Sequence, residues 1–391
     1  MLAVITDDFT GAAEIAGIVL AKGFTAAIET RTVHATTSDV LVIATNMRSI
    51  GRTDASKESA RLTAGLMALQ PRMIFKKVDS VLRGHIGPEL GSMMEAQGKS
   101  RALLVPANPS LGRTIEDGIY FVSGTPIAES GFAADNAVAT GSSRVVDILQ
   151  ERGYPDLACF DIDDYGGAGD GIAIGNTRTP ADVAAWAEKV TDDVVPAGAA
   201  DFFSALLDRL RPSAGAPSGA PISFKAAKSL YVCGSRFPAS GQAVRTAAAN
   251  GHCVAYVPDA IYFDRDFDPD LIEAWAEDVV RAFERYDDVI LFAPQSTRGV
   301  GFAGSDVTRV LARCVARVFD RAAPDELMIE GGATAQAVME ALNIETLLPV
   351  QALSAGVTRM RVAGRDGLHV TMKPGSYSWP SVIWKFDEKR L

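Results

Sequence analysis

Short apolar runs and amphipathic stretches alternate along this chain, and most of the apolar runs end in small or polar residues. LAVIT, VLVIATN, RMIFKKVDS and RALLVPAN read as buried strands, because each is brief and dominated by aliphatic side chains. A helical stretch follows LAVIT through about Lys22, where Gly23 stops it. RMIFKKVDS runs into RGHIGPELGSMMEA, which reads as a helix opened by Gly84. TPADVAAWAEKV carries a clear helix start: Thr179 caps, Pro180 takes the first helical position and Asp182 completes a capping box.

The second half repeats the alternation. SLYVCGS, HCVAYVP, DVILFAP and ELMIEGG are strand-like; ASGQAVRTAAAN, PDLIEAWAEDVVRAFERY, DVTRVLARCVARVFDRA and ATAQAVMEAL are helical. Strands alternating with helices predict parallel sheets covered on both faces. VTRMRVAGRDGLHVTMKPGS reads instead as antiparallel strands closing an edge. Between the halves lies PSAGAPSGAP, Pro212 to Pro221, which holds no residue able to anchor a core and reads as a linker. The expected architecture is α/β: two Rossmann-like domains with mainly parallel sheets and an interdomain cleft. Residues 1–211 form the first domain, 212–222 the linker and 223–391 the second.

Composition narrows the function. Hydrophobic residues are 48% and charged ones 22%, the balance of a soluble globular protein. No stretch of about 20 apolar residues occurs, and Asp7 and Asp8 break the first apolar run too early for a signal peptide. The expectation is a cytoplasmic protein with no membrane partner; a homo-oligomer is compatible with it. A net charge of −10 argues against nucleic acid. An anionic substrate would need local basic clusters that override this field. The four cysteines and four histidines are scattered, so no metal site is expected from them.

Ligands of open α/β sheets bind outside the carboxyl ends of strands, so the strand-to-helix turns carry the chemistry. Asp7 and Asp8 follow the first strand: they are either a helix cap or partners for a hydroxyl. Lys76, Lys77, Asp79, Ser80 and Arg83 follow RMIF, and Arg83 offers a planar fork suited to a carboxylate. An Arg–Asp pair holding the loop is the plain alternative. Asn108, Ser110, Arg113 and Thr114 follow RALLVPA, and Arg113 could join the same anion site or be a surface arginine. In the second half, Gly234 and Ser235 allow a close backbone approach to phosphate or ribose. Gly331, Gly332 and Thr334 could cradle phosphates at a helix that starts near Thr334, and Lys373 stands beside a third glycine turn. QGKS is not a phosphate loop, because Met93 stands where that motif needs glycine. GVGFAG, with Gly299, Gly301 and Gly304, matches a dinucleotide pattern, but QSTR separates it from the strand. It is either a loop over the nucleotide or the basis of a dehydrogenase reading, which absence of NAD binding would remove.

Taken in order, TDDFTGAAEIAG, KKVDSVLRGHIGPEL, PANPSLGRT, CGS, GGATA and KPGSYS resemble the four-carbon acid sugar kinase family over nearly the whole chain. The resemblance implies a sugar-acid-binding first domain, an ATP-binding second domain and transfer to the terminal hydroxyl of threonate, erythronate or 3-oxo-tetronate. Asp8, Lys77, Asp79, Ser80, Arg83 and Gly84 fall on its sugar-site motifs; Ser235, Gly331, Gly332, Thr334 and Gly375 fall on its nucleotide-site motifs. Asp8 is then expected to take the hydroxyl proton, with Asp7 capping or orienting and Asp79 the other candidate base. Arg83 and Lys77 would hold the substrate carboxylate, and Mg²⁺ would bridge the ATP phosphates through substrate oxygens and water. Two departures lie on the ATP side: Ala333 stands where the family carries an acidic residue, and KPGSYS replaces a more glycine-rich ending. They keep a second reading open, a sugar-acid binder that has lost kinase activity.

Overall fold

The computed structural model describes residues 1–132, 141–154, 156–167, 169–210, 228–235, 237–263, 268–293 and 304–390. The expected linker, 212–222, lies outside these residues, as do Gly299 and Gly301 of GVGFAG. The chain divides into two compact units, Met1–Pro217 and Ser218–Leu391.

The first unit is built on β1 (Leu2–Thr6), α1 (Phe9–Ala21), β2 (Ala26–Glu29), β3 (Val40–Ile43), α2 (Arg52–Met67), β4 (Met73–Lys77), α3 (Ile86–Ala96) and β5 (Arg101–Val105). A small antiparallel sheet follows: β6 (Arg113–Glu116), β7 (Ile119–Val122) and β8 (Thr125–Pro126). Then come α4 (Val145–Glu151), β9 (Leu157–Phe160), β10 (Gly171–Gly175), α5 (Pro180–Glu188), β11 (Val194–Gly198) and α6 (Ala200–Leu210). The main sheet runs β2-β3-β1-β4-β11-β5-β10-β9, with every described pairing parallel. β1 to β4 are fully buried apart from Met73, as strands covered on both faces must be. The capping box at Thr179 and Asp182 forms as the sequence predicts.

The second unit holds β12 (Ser229–Cys233), α7 (Pro238–Ala249), β13 (Cys253–Tyr256), α8 (Asp259–Tyr262), α9 (Asp270–Ala282), β14 (Asp288–Phe292), α10 (Gly304–Ala322), β15 (Glu326–Glu330), α11 (Gly332–Ala341), β16 (Thr346–Ser354), β17 (Val357–Val362) and β18 (His369–Lys373). Its order is β13-β14-β12-β15-β18-β17-β16. β17 alone runs against its neighbours, which bears out the antiparallel reading of the C-terminal segment. An aromatic cluster of Tyr231, Trp384 and Phe386, with Trp379 against it, seals the C-terminal tail onto this sheet.

Two helix starts differ from the sequence reading. α3 begins at Ile86, not at Gly84: Gly84 lies in the preceding loop with φ +88°, outside helical geometry. α11 begins at Gly332, two residues before Thr334, because Gly331 at φ +94° turns the chain out of β15 directly. Among the described residues no helix is long and apolar enough to cross a membrane.

Candidate functional site

Strand order brings the informative turns of the first unit together. β1 lies between β3 and β4, with Ile5 opposite Ile43 and Thr6 opposite Lys77, so the three turns leave the sheet side by side. Arg48, in the turn after β3, reaches across them. Its Nε donates to Asp7 Oδ2 at 2.8 Å and its Nη1 to Asp8 Oδ2 at 2.9 Å, while Nη2 stands 3.5 Å from Asp79 Oδ1. One guanidinium thus joins three carboxylates.

Those carboxylates have different surroundings. Asp8 is the cap of α1: Oδ1 accepts from the Gly11 N–H at 2.8 Å, and Oδ2 accepts from Thr10 as well as Arg48. Capping therefore belongs to Asp8, not to Asp7, because only the second carboxylate lies next to the free N–H groups of the first turn. Burial pushes the Asp8 carboxyl up, but Arg48, Thr10 and Gly11 outweigh it and hold it below the usual carboxylate range. Asp79 is held lower still: burial opposes ionisation, and Arg48 and Arg83 together override it. Asp79 also accepts from the Val81 and Arg83 N–H groups, which folds the loop around it. That loop carries Leu82 at φ +63°, a strained position for a side chain of this size. Asp7 is 3% exposed, and its Oδ1 is buried with no hydrogen-bond partner. Such an orphan acceptor is costly unless something donates to it.

The basic residues are more engaged than the sequence reading allowed. Arg83 grips Asp79 with Nε at 2.9 Å and Nη2 at 2.8 Å, so the loop-holding ion pair is present. Lys77 pairs with Glu14 at 2.9 Å. Burial lowers the affinity of Lys77 for its proton, but Glu14, Asp7 and Asp8 more than restore it. Arg113 does join this region: it donates to the Ser80 hydroxyl, and Tyr120 donates to the Ser80 carbonyl. Asn108 spends its side-chain oxygen on the Asp201 N–H at 3.0 Å, tying the end of β5 to the start of α6. A Cβ on Gly84 would lie 3.3 Å from Asp7 Oδ2 and 3.7 Å from Arg48, so glycine leaves these groups their room. Arg48 and Glu14 were not singled out from the sequence. Arg48 follows an apolar run in NMRS, and the strand-end rule points to that turn; Glu14 had no such signal.

In the second unit the same logic gathers the glycine turns. Cys233 lies opposite Glu330, and Glu330 opposite Lys373, so the turns after β12, β15 and β18 are adjacent. A Cβ on Gly234 would come within 2.5 Å of Thr334 Oγ1, and one on Gly375 within 2.6 Å of Ser235 Oγ. Ser235 donates to the Gly375 carbonyl at 3.2 Å, and Thr334 is buried in the first turn of α11. Gly332 opens that helix, and Gly331 before it makes no side-chain cap to the first-turn N–H groups. Lys373 is not a free cation beside the turn: it is buried against Glu330, which also accepts from Ser240 at 2.6 Å.

A parallel sheet carrying a buried carboxylate–guanidinium cluster, and a second sheet carrying three adjacent glycine turns, define a two-domain α/β protein. The sequence families agree. Residues 2–205 match a sugar-binding N-terminal domain and residues 230–377 a nucleotide-binding C-terminal domain. The chain belongs to the four-carbon acid sugar kinase family that joins these two domains. It is 27% identical to a 3-oxo-tetronate kinase of Burkholderia multivorans, over 96% of this chain and 94% of that protein. A D-threonate kinase of Bordetella bronchiseptica is 24% identical over 98% of this chain and 95% of that one. The fold is shared with a solved structure from Salmonella typhimurium LT2, at a TM-score of 0.78, 19% identity and 96% coverage of both chains. One from Haemophilus influenzae matches at 0.74, with 17% identity and 98% coverage of both.

Proposed function

We infer that this chain is a kinase that transfers a phosphoryl group from ATP to the terminal hydroxyl of a four-carbon sugar acid. The observation that carries the reading is the Asp7–Asp8–Asp79 cluster on Arg48, with one buried oxygen left over. Phosphoryl transfer asks the protein mainly for positioning and charge neutralisation, plus a base near the hydroxyl. Asp7 suits that last role better than Asp8, because both Asp8 oxygens already accept hydrogen bonds while Asp7 Oδ1 accepts none. The substrate hydroxyl would donate to Oδ1, and Arg48 would hold Oδ2 so that the free oxygen faces one way. Asp79 is the weaker base candidate, since two guanidiniums stabilise its ionised form.

Arg83, with Arg113 and Lys77, supplies the positive side on which a substrate carboxylate would settle. Ser235, Gly331, Gly332, Thr334 and Gly375 would take the phosphates through N–H groups and hydroxyls. Among the described residues no three His, Cys, Asp or Glu side chains are grouped to hold a metal. Mg²⁺ would arrive with ATP, held by phosphate oxygens and water. A cytoplasmic location goes with this reading, since ATP is the second substrate.

The test is ADP release with Mg·ATP across D- and L-threonate, D- and L-erythronate and the 3-oxo-tetronates. One acid should turn over, and Asp7→Asn should slow it by roughly 100-fold or more. Turnover with none of them would sink the kinase reading. A thermal shift with one acid in that event would support the binder instead.

A further inference from the structure

We propose that Glu89 is a positioning residue for the phosphoryl transfer: it holds the Lys76 ammonium off Asp7 and so keeps Asp7 Oδ1 open for the proton of the substrate hydroxyl. This rests on the kinase reading above and adds what keeps its base free. Glu89 and Lys76 touch no substrate in this account; they act through Asp7.

The pair lies behind the turn that follows β1. Lys76 stands opposite Ile5 in the parallel β1–β4 pairing, and Asp7 follows Ile5 by two residues. Successive side chains of a strand point to opposite faces. Lys77 accordingly meets Glu14 of α1, while Lys76 points the other way, to Glu89 of α3. Lys76 Nζ lies 2.5 Å from Glu89 Oε2, and both side chains are buried. Four buried polar atoms here have no hydrogen bond: Asp7 Oδ1, Lys76 Nζ and both Glu89 carboxylate oxygens. A buried ammonium carries three donors and takes the acceptors within its reach. Asp7 and Glu89 offer it two carboxylates, and it is paired with Glu89. Asp7 is already neutralised through Oδ2 by Arg48. Were Lys76 to turn to Asp7 as well, both Asp7 oxygens would be engaged, as both Asp8 oxygens are, and the hydroxyl would find no acceptor. Replacing a buried pair by apolar side chains is often neutral for stability, so stability alone is a weak reason for this one.

The arrangement also ties the base to pH. Burial raises the Glu89 carboxyl, Lys76 opposes that, and the charge of Asp7 raises it further. His85, in the loop before α3, also opposes the rise; α2 packs on α3 through Ser56 and Ser59, which donate to the Pro88 and Glu89 carbonyls. Protonation of Glu89 removes the anion that holds Lys76, so activity should fall on the acid side as Glu89 titrates, above the usual carboxylate range.

The experiment compares Glu89→Gln, which keeps the shape and removes the charge, with Lys76→Met/Glu89→Gln, which removes the ammonium too. Steady-state kinetics with Mg·ATP and the acid that turns over, on protein shown by melting to be folded, should give a kcat roughly 100-fold lower in Glu89→Gln, with the KM for the acid within about threefold. Adding Lys76→Met should return most of the lost rate. An unchanged kcat in folded Glu89→Gln, or a double variant as slow as the single one, would overturn the proposal. If Glu89→Gln does not fold, the pH profile of kcat decides: its acid limb should lie at higher pH in the wild type than in the double variant, and coincident limbs would overturn the proposal. Failure of the kinase reading is distinguishable, because the freed ammonium can be read without turnover. Asp7→Asn should lower the urea midpoint more in the Glu89→Gln background than in the wild type, since only there does Lys76 pair with Asp7. An equal drop in both would overturn the proposal; a larger drop without turnover of any acid would support the hold on Lys76 and sink the kinase reading.

Discussion

Arg48→Met is the most informative single change in the first unit. Methionine roughly keeps the stem and removes the charge that joins Asp7, Asp8 and Asp79. Removing one partner of a buried ion pair costs about 3–5 kcal/mol. The Arg48 side chain is 19% exposed, so water relieves part of that and about 3 kcal/mol is expected at pH 7. For a unit the size of Met1–Pro217 this lowers the melting temperature by about 6–12 °C. The pH dependence separates lost charge from lost packing. In the wild type the folded Asp8 and Asp79 carboxyls are depressed, so their contribution is present above about pH 3.9 and lost as pH falls below it. In the variant Asp8 loses its chief cation, while Asp79 keeps Arg83. The gap between the two proteins should therefore be full from pH 7 down to about pH 4 and narrow as pH falls from about 4 toward 2. Melting curves across that range read it directly. A gap of the same size at both ends would mean that the guanidinium matters for packing alone. No gap at all would refute the electrostatic account.

Three further outcomes follow from other parts of the molecule. Asp79→Asn should release the Arg83 fork and lower kcat/KM for the acid by about 100-fold with little change in the KM for ATP, since Asp79 orders only the first unit's loop; steady-state kinetics in both substrates check this. Gly331→Ala puts a Cβ on a residue at φ +94°, costing about 1–2 kcal/mol, and should raise the KM for ATP while sparing that of the acid. Lys76 and Glu89 form a pair 2.5 Å apart, at 0% and 1% side-chain exposure. Lys76→Met should therefore cost about 3–5 kcal/mol by denaturant unfolding, and Lys76→Met with Glu89→Leu should recover most of it; a double variant as unstable as the single would contradict this.

What the sequence made legible was governed by how apolar each element is. β1, β3, β4 and β5 are buried runs with no competing signal, and they were read as strands. β11 was missed: Val194–Gly198 contains proline and glycine, which normally argue against a strand interior. The structure accommodates Pro196 by confining the described pairing with β4 to Ala197 and Gly198, so no ladder bond there needs its absent N–H. β2 and β10 were missed for a related reason, since alanine and glycine dilute their patterns. The turns were legible as polar clusters, but not who pairs with whom inside them. The sequence allows Arg83 either as a fork for a substrate carboxylate or as the partner of Asp79, and the four-residue spacing does not choose between them. In the folded loop Leu82 stands at φ +63° and Arg83 grips Asp79 with its guanidinium.

The departure at Ala333 can be weighed physically. It is the second residue of α11 and exposed, one position before the buried Thr334. A carboxylate there would gain a little from the helix dipole, about 0.3–1 kcal/mol, and would set a negative charge beside the phosphates proposed for that turn. Alanine removes that charge and leaves intact the parts that shape the cradle: Gly331 at φ +94°, the contact space between Gly234 and Thr334, and the Ser235–Gly375 hydrogen bond. The change therefore argues for altered phosphate affinity and not for lost chemistry, in line with relatives over nearly the whole chain that are named kinases. Ala333→Glu decides the sign: if this account holds, the added carboxylate weakens binding of ATP more than that of adenosine, and equal weakening of both would show that position 333 acts on the shape of the turn instead.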